Sequence, residues 1–144
     1  MVRTFALIVV ITMLVYPAVM TGIGQALFPN QANGSQMVCN GTTVGSALFG
    51  QNETSPKLFW PRNASASGSG VDPDITPASA YAQVPRISNA TSISASSLEY
   101  LIQKNIAANQ ATNLGYFAPD YVNVNQVNLD LVQLYPSVYA GLCT

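Results

Sequence analysis

The sequence predicts a mixed α/β extracytoplasmic domain carried on a single N-terminal transmembrane helix. Three observations lead there. Residues 5–28 are an almost unbroken apolar run, and no charged side chain occurs between Arg3 and Glu53. A helix rises about 1.5 Å per residue and a bilayer core is about 30 Å thick, so roughly 20 apolar residues span it. Basic residues beside a span stay on the cytoplasmic side, which puts residues 1–4 with Arg3 inside and residues 29–144 outside. Those 116 residues have apolar positions throughout, enough for one domain with its own core.

Within residues 5–28, Thr12, Thr21 and Gln25 are polar, and Pro17 removes one backbone donor and is expected to kink the helix. A cleaved signal peptide also begins with a cation and an apolar run. Its h-region holds about 7–15 residues, whereas this run continues through Leu27 and Phe28, so a retained anchor is expected. Ala18, Gly22 and Ala26 recur every fourth residue and would let a second helix approach closely; a stripe facing lipid has the same spacing.

After the anchor, Phe28 to Ser35 holds Pro and Gly and reads as a turn. Val44 to Gln51 is short, apolar and flanked by glycine, and reads as a buried strand. Lys57 to Pro61, with Leu58, Phe59 and Trp60, reads as a second extended piece, and Asn63 to Gly70 as a loop. Thr76-Pro77 starts a helix running to about Asn89, because threonine caps free amides and proline at the first helical position loses nothing. Pro85 is expected to bend or break it. Ser96 and Glu99 form a capping box for a second helix with Leu98, Leu101, Ile102 and Ile106 on one face. Tyr121 to Val127 alternates like a strand, and Leu129 to Tyr135 extends it or turns helical.

Composition excludes several functions. The outer part carries Lys57, Arg62, Arg86 and Lys104 against six acids, a net charge of −2, and so offers no basic patch for nucleic acid. The chain has no histidine, no CxxC pair and no Walker-type loop, so catalysis by this chain and a metal site are not expected. Asp72-Pro-Asp74 could face a hard cation, but beside proline and just before a helix its ordinary role is to form a turn. Asn33, Asn40, Asn52, Asn63 and Asn89 stand in N-x-S/T sequons. They are glycosylation candidates on an outer surface, although a Ser/Thr/Asn-rich chain also produces sequons by chance. Cys39 and Cys143 lie at opposite ends of the outer part and are candidates for a disulfide, two free thiols being the alternative.

Specific words now add to these statistics. Tyr16-Pro17, Thr21-Gly22, Gln25-Ala-Leu-Phe-Pro29 and Gln31-Ala-Asn-Gly-Ser35 closely resemble the opening of KdpC, the small subunit of the Kdp potassium-transporting P-type ATPase. Gly45-Ser-Ala-Leu-Phe-Gly-Gln51 resembles that family's G-S-x-L-x-G-Q stretch, and Leu58-Phe-Trp-Pro-Arg62 its Y-F-x-x-R-P-S region. Ser67-Gly-Ser-Gly-Val-Asp-Pro-Asp-Ile-Thr-Pro77, Ala80 and Gln83-Val-Pro-Arg86 are similar to its most distinctive signature. Val122-Asn-Val124 and Asn128-Leu-Asp-Leu131 match its C-terminal pattern. The blocks keep family order along nearly the whole chain. In one respect the chain departs from the family: several dozen residues that usually separate the R-P-S region from the signature are missing here.

The resemblance implies a non-catalytic subunit in the cell membrane, with partners that form a potassium pore, hydrolyse ATP, and include a very small accessory peptide. ATP, Mg and K would belong to that complex, with no cofactor on this chain. Family-level roles for such a subunit are aid to nucleotide binding or cover of the pore's outer mouth. An outward domain cannot touch cytoplasmic ATP, which favours docking beside the potassium entrance. Asp72, Thr76, Gln83 and Arg86 are the expected subunit-interface residues, with Ala18, Gly22 and Ala26 in the anchor; cap and internal ion pair are the competing roles of Asp72 and Arg86. A free-standing membrane-anchored surface glycoprotein and an extracellular binding module are the rival classes.

Overall fold

The computed structural model describes residues 1–39, 41–63, 65, 67–112 and 118–140. Two compact units result, Met1–Gln36 and Met37–Thr144. The first is built on one continuous apolar helix, Val2–Leu27, whose 26 residues are long and apolar enough to cross a membrane. It consists of α1 (Val2–Val10), a wider π-helical segment at Ile11–Val15, and α2 (Tyr16–Leu27). The π segment lies just before Pro17. Proline supplies no amide and crowds the carbonyl four residues back, and a widened turn accommodates it without ending the helix. The Thr12 hydroxyl donates to the Ile8 carbonyl at 2.8 Å, so this polar group is satisfied within the helix. Where a turn is expected there is first a single helical turn, α3 (Pro29–Ala32), and then Gly34 and Ser35 at positive φ. Asn33 bonds Gln25 and the Pro29 carbonyl across that turn.

The second unit is mixed α/β. Strand β1 (Gln36–Cys39) pairs with β2 (Thr42–Ser46), and β3 (Asp74–Ile75) pairs antiparallel with β4 (Val122–Asn123), placing Asp74 opposite Asn123 and Ile75 opposite Val122. Three helices supply the core: α4 (Pro77–Thr91), α5 (Ala95–Thr112) and α6 (Val124–Leu134). Ile87, Leu98, Ile102, Val122, Val124, Val127 and Leu131 are fully buried around Phe59. Burial of these side chains is the main favourable term, at roughly 1.5–3 kcal/mol each before entropy is charged against it.

Helix α4 begins where expected, with the Thr76 hydroxyl accepting from the Ser79 amide at 3.2 Å. It ends at Ser92 in the left-handed region and contains Pro85 without a break. The face of α5 is as expected, with Leu98, Leu101 and Ile102 buried and Ile106 packed against them. Its cap differs: Ser94, not Ser96, accepts from the Ser97 amide at 3.2 Å, so the helix starts earlier than a box on Ser96 allows. Two strand expectations also fail. Of the first, Val44 to Gln51, only residues 44–46 are strand, as the end of Thr42–Ser46, and Leu48 and Phe49 lie in a turn, 58% and 59% exposed. After two residues of β4, Asn123 caps α6, and Val124, Val127 and Leu131 bury one helical stripe. Spacing of three and four residues outweighs the shorter alternation that suggested a strand. Lys57 to Pro61 is irregular, with Leu58 and Phe59 buried as expected of an aromatic packing segment.

Candidate functional site

Four signature residues were singled out, and in this fold all four organise the chain locally. The Asp72 carboxylate accepts from the Asp74 amide at 3.0 Å and lies 4.0 Å from the Arg62 guanidinium. Thr76 is the cap of α4. Gln83 and Arg86, one turn apart on α4, grip residues 55–60. The Gln83 amide oxygen accepts from the Trp60 amide at 2.8 Å, and its nitrogen donates to the Trp60 carbonyl at 3.2 Å. Arg86 donates to the carbonyls of Pro56 at 2.7 Å, Leu58 at 3.0 Å and Ser55 at 3.4 Å, and to Gln83 at 2.8 Å. Its guanidinium carbon lies 3.8 Å from the centre of the Trp60 ring, a stacked cation–π arrangement. Arg86 and Asp72 therefore form no ion pair with each other; burial lowers the Arg86 pKa from its ordinary value, and oxygen dipoles hold it rather than a carboxylate.

The same segment is held from α6. Asn128 accepts from the Phe59 amide at 2.8 Å and donates to the Phe59 carbonyl at 2.9 Å. Tyr139 donates to the Lys57 carbonyl at 2.9 Å, and its hydroxyl, desolvated by burial and close to Tyr135, is pushed up to about 12.

A second loop, residues 46–50, was not expected to matter beyond its strand. Asn125 donates to the carbonyls of Ser46 at 2.8 Å and Phe49 at 2.7 Å, and Asn123 donates to Ala47 at 2.9 Å. The Gly50 amide donates to Val71 at 2.6 Å, and a Cβ at Gly50 would meet the Val71 and Asp72 carbonyls at 3.1 Å, so glycine permits this close approach. The backbone of the loop is thus drawn inward while Leu48 and Phe49 point to the surface. Paired asparagines about 75 residues downstream hold it, and only the V-N-V-N wording of residues 122–125 hinted at them.

Asp74 links the two regions through Asn123, which donates to its carboxylate at 2.9 Å. Burial raises the Asp74 pKa above 3.8, the Asn123 hydrogen bond opposes this, Asp72 adds to it and Arg62 subtracts. The unfolded carboxyl titrates at its ordinary value. Asp74 therefore stabilises the fold fully below 3.8 and loses that contribution as pH rises through its raised folded value. Asp74→Asn, which keeps an acceptor for Asn123, should raise the unfolding temperature at pH 7, with the gain vanishing below pH 3.8. Unfolding scans of both proteins across that range check it; a gain unchanged by pH would mean that charge at position 74 is irrelevant.

The remaining expected residues are more scattered. Ala18, Gly22 and Ala26 are exposed along the apolar helix, and nothing lies within 4 Å of a Cβ added at Gly22, so no contact within the chain requires glycine there. Asn33, Asn52, Asn63 and Asn89 are exposed, and Asn40 lies outside the described residues. The Thr91 hydroxyl of the Asn89 sequon is buried and bonded to Ile87 and Ile93. Cys39 is buried and not a free thiol; Cys143 lies outside the described residues. Among the described residues no cluster of His, Cys, Asp or Glu could hold a metal ion.

The family model described as KdpC: K+-transporting ATPase, c chain, matches residues 1–66 and 63–133. The two matched stretches overlap at residues 63–66, between Arg62 and the signature that begins at Ser67. Among curated relatives, the potassium-transporting ATPase KdpC subunit of Burkholderia ambifaria is 35% identical over 178 aligned positions, covering 88% of this chain and 91% of that protein. That of Burkholderia orbicola is 34% identical with the same coverage, and that of a Janthinobacterium species is 32% identical, covering 90% and 94%. An alignment of 178 positions exceeds the 144 residues of this chain by 34, so at least that many positions are gaps on its side.

Proposed function

The chain belongs to the KdpC family, the c chains of K+-transporting ATPases, and is thus a component of a potassium uptake complex; from that premise we propose that it is the non-catalytic piece that holds the complex together. The observation that carries this reading is the use made of the signature. Asp72, Thr76, Gln83 and Arg86 make caps and backbone clamps, each engaging main-chain atoms of the chain itself. Such a signature fixes a surface in place instead of performing chemistry. The apolar helix Val2–Leu27 serves as the single membrane anchor, with Arg3 and the N-terminus in the cytoplasm and the α/β unit outside.

In this reading the outer unit docks on the potassium-pore subunit beside the ion entrance, and the anchor packs through Ala18, Gly22 and Ala26 against a neighbouring helix. The P-type ATPase subunit and a small accessory peptide complete the assembly, and ATP, Mg and K are bound by those partners. The Cys39–Cys143 bridge belongs to an oxidising outer compartment. Alkylation of the unfolded full chain should label neither cysteine until a reductant is added; labelling of both beforehand would remove the bridge.

The direct test is recovery of the tagged full chain from its native membrane in mild detergent, with mass spectrometry of co-purifying proteins. A pore subunit and a P-type ATPase subunit at similar stoichiometry are expected. Recovery of the chain alone, under conditions that keep other membrane complexes intact, would favour a free-standing anchored surface protein and overturn this reading.

A further inference from the structure

The α/β unit has a cleft of about 140 Å³ beside the 46–50 loop, walled by Val44, Leu58, Val124, Leu129 and Val132, with Glu53 as the one charged lining residue. It is far smaller than the roughly 300–1,000 Å³ of a cofactor or drug-sized site, so a single side chain is the right scale of occupant. The polar groups around it are mostly committed. Gln51 donates to the Val44 carbonyl at 2.9 Å, Asn125 to Ser46 and Phe49, and Asn128 to Phe59. Glu53 is half-buried and accepts from the Ser55 amide at 2.8 Å. Among the described residues, the two ion pairs are Arg62–Asp72 and Lys104–Asp130, and neither involves Glu53. Arg86, the cation that grips this segment, is occupied by backbone carbonyls.

An apolar cleft with one carboxylate that has no cationic partner is complementary to an ammonium on a hydrocarbon stem: the stem covers the valine and leucine walls, and the ammonium meets the carboxylate. We propose that this cleft receives a lysine side chain from another subunit of the complex. A protein source is favoured over a lipid amine by what adjoins the cleft. Asn125 both lines it and pins the loop that presents Leu48 and Phe49, so cleft and apolar knob are built as one preorganised surface. A headgroup amine would use only the carboxylate and has no use for a fixed apolar knob beside it. The proposal rests on the reading of the chain as an assembly subunit and adds the contact that specifies its partner.

The test uses the tagged full chain in native membranes. Glu53→Gln keeps the acceptor for Ser55 and removes the charge, Glu53→Lys reverses it, and Glu99→Gln on the exposed face of α5 is the control. Loss of one partner of a buried charge pair lowers affinity by roughly tenfold or more, so Glu53→Gln should recover several-fold less partner, Glu53→Lys little or none, and Glu99→Gln the full amount. In the intact wild-type complex, carbodiimide, which joins a carboxylate to an amine in contact with it by forming an amide with loss of water, should link Glu53 to a lysine of another subunit. Unfolding scans of the Glu53→Gln chain confirm that its fold is kept. Undiminished partner recovery with Glu53→Gln, or an intact complex in which Glu53 forms no link to a partner lysine, overturns the lysine contact and leaves the assembly role standing. Recovery of the wild-type chain without any partner overturns both.

Discussion

Replacing Arg86 with alanine is expected to destabilise the α/β unit by about 2–3 kcal/mol, a fall in unfolding temperature of roughly 10–15 °C for a unit of this size. The side chain donates to three carbonyl acceptors, Ser55, Pro56 and Leu58, and stacks on Trp60. Each charged hydrogen bond would be worth more if buried, but residues 55–60 are partly open and water can replace some of the lost donors, which sets the total below the sum of the parts. Arg86→Lys should recover less than half, because an ammonium lacks the flat fork that reaches Pro56 and Leu58 from two nitrogens while lying over the indole. Thermal unfolding of the three full-length chains in detergent checks both statements. A loss under about 1 kcal/mol, or complete rescue by lysine, would mean that Phe59 and its two bonds to Asn128 hold the segment alone. Assembly should weaken in Arg86→Ala in proportion to the loss of fold, since the guanidinium is fully engaged within the chain.

The sequence left Arg86 between a partner contact and an internal ion pair, and the guanidinium sits on backbone carbonyls of its own chain. With few charges in the chain, Arg86 was conspicuous, but sequence spacing does not reveal carbonyl acceptors about 30 residues upstream. The long apolar helix was legible because hydrophobic length is a one-dimensional property, and α4 and α5 because a threonine-proline start and an i, i+3, i+4 apolar face are local. Ser94 displaced Ser96 as the cap of α5 in the run Ser94-Ala-Ser-Ser97, three serines and one alanine, where several hydroxyls could have served. Residues 44–51 and 121–127 were misread for a shared reason. Their geometry depends on each other: Asn123 and Asn125 reach back to draw in the carbonyls of residues 46, 47 and 49, turning one segment into a loop and starting a helix in the other. Short apolar runs carry no periodicity long enough to foretell that. The cleft beside Glu53 follows from the same long-range fit.

Asn123 stands at the centre of that fit, and its loss should have the larger effect. It is buried opposite Asp74 in the small antiparallel pair. Its side-chain oxygen caps α6 by accepting from the Gln126 amide at 3.1 Å, and its nitrogen donates to the Ala47 carbonyl and the Asp74 carboxylate, each at 2.9 Å. Its own amide donates to Asn105, which in turn accepts from Asn109. Asn123→Ala removes a cap worth about 1 kcal/mol and leaves a carbonyl and a half-buried carboxylate without their donor, at about 1–3 kcal/mol more. A total of about 2–4 kcal/mol is expected in denaturant unfolding, together with faster proteolysis at residues 46–50 once Ala47 is released. Asn123→Asp gives a sharper result. It retains the cap acceptor but sets a second carboxylate against Asp74, so one of the two is held protonated and its pKa rises. A group with a raised folded pKa stabilises at low pH and loses that contribution as pH rises, so this variant should be markedly less stable than wild type at pH 7 and recover much of the difference toward pH 4. Adding Asp74→Asn to it should restore most of the loss at pH 7, since only one carboxylate then remains. Equal instability of Asn123→Asp at both pH values, or no rescue by Asp74→Asn, would show that the pair is not what couples the 46–50 loop to α6.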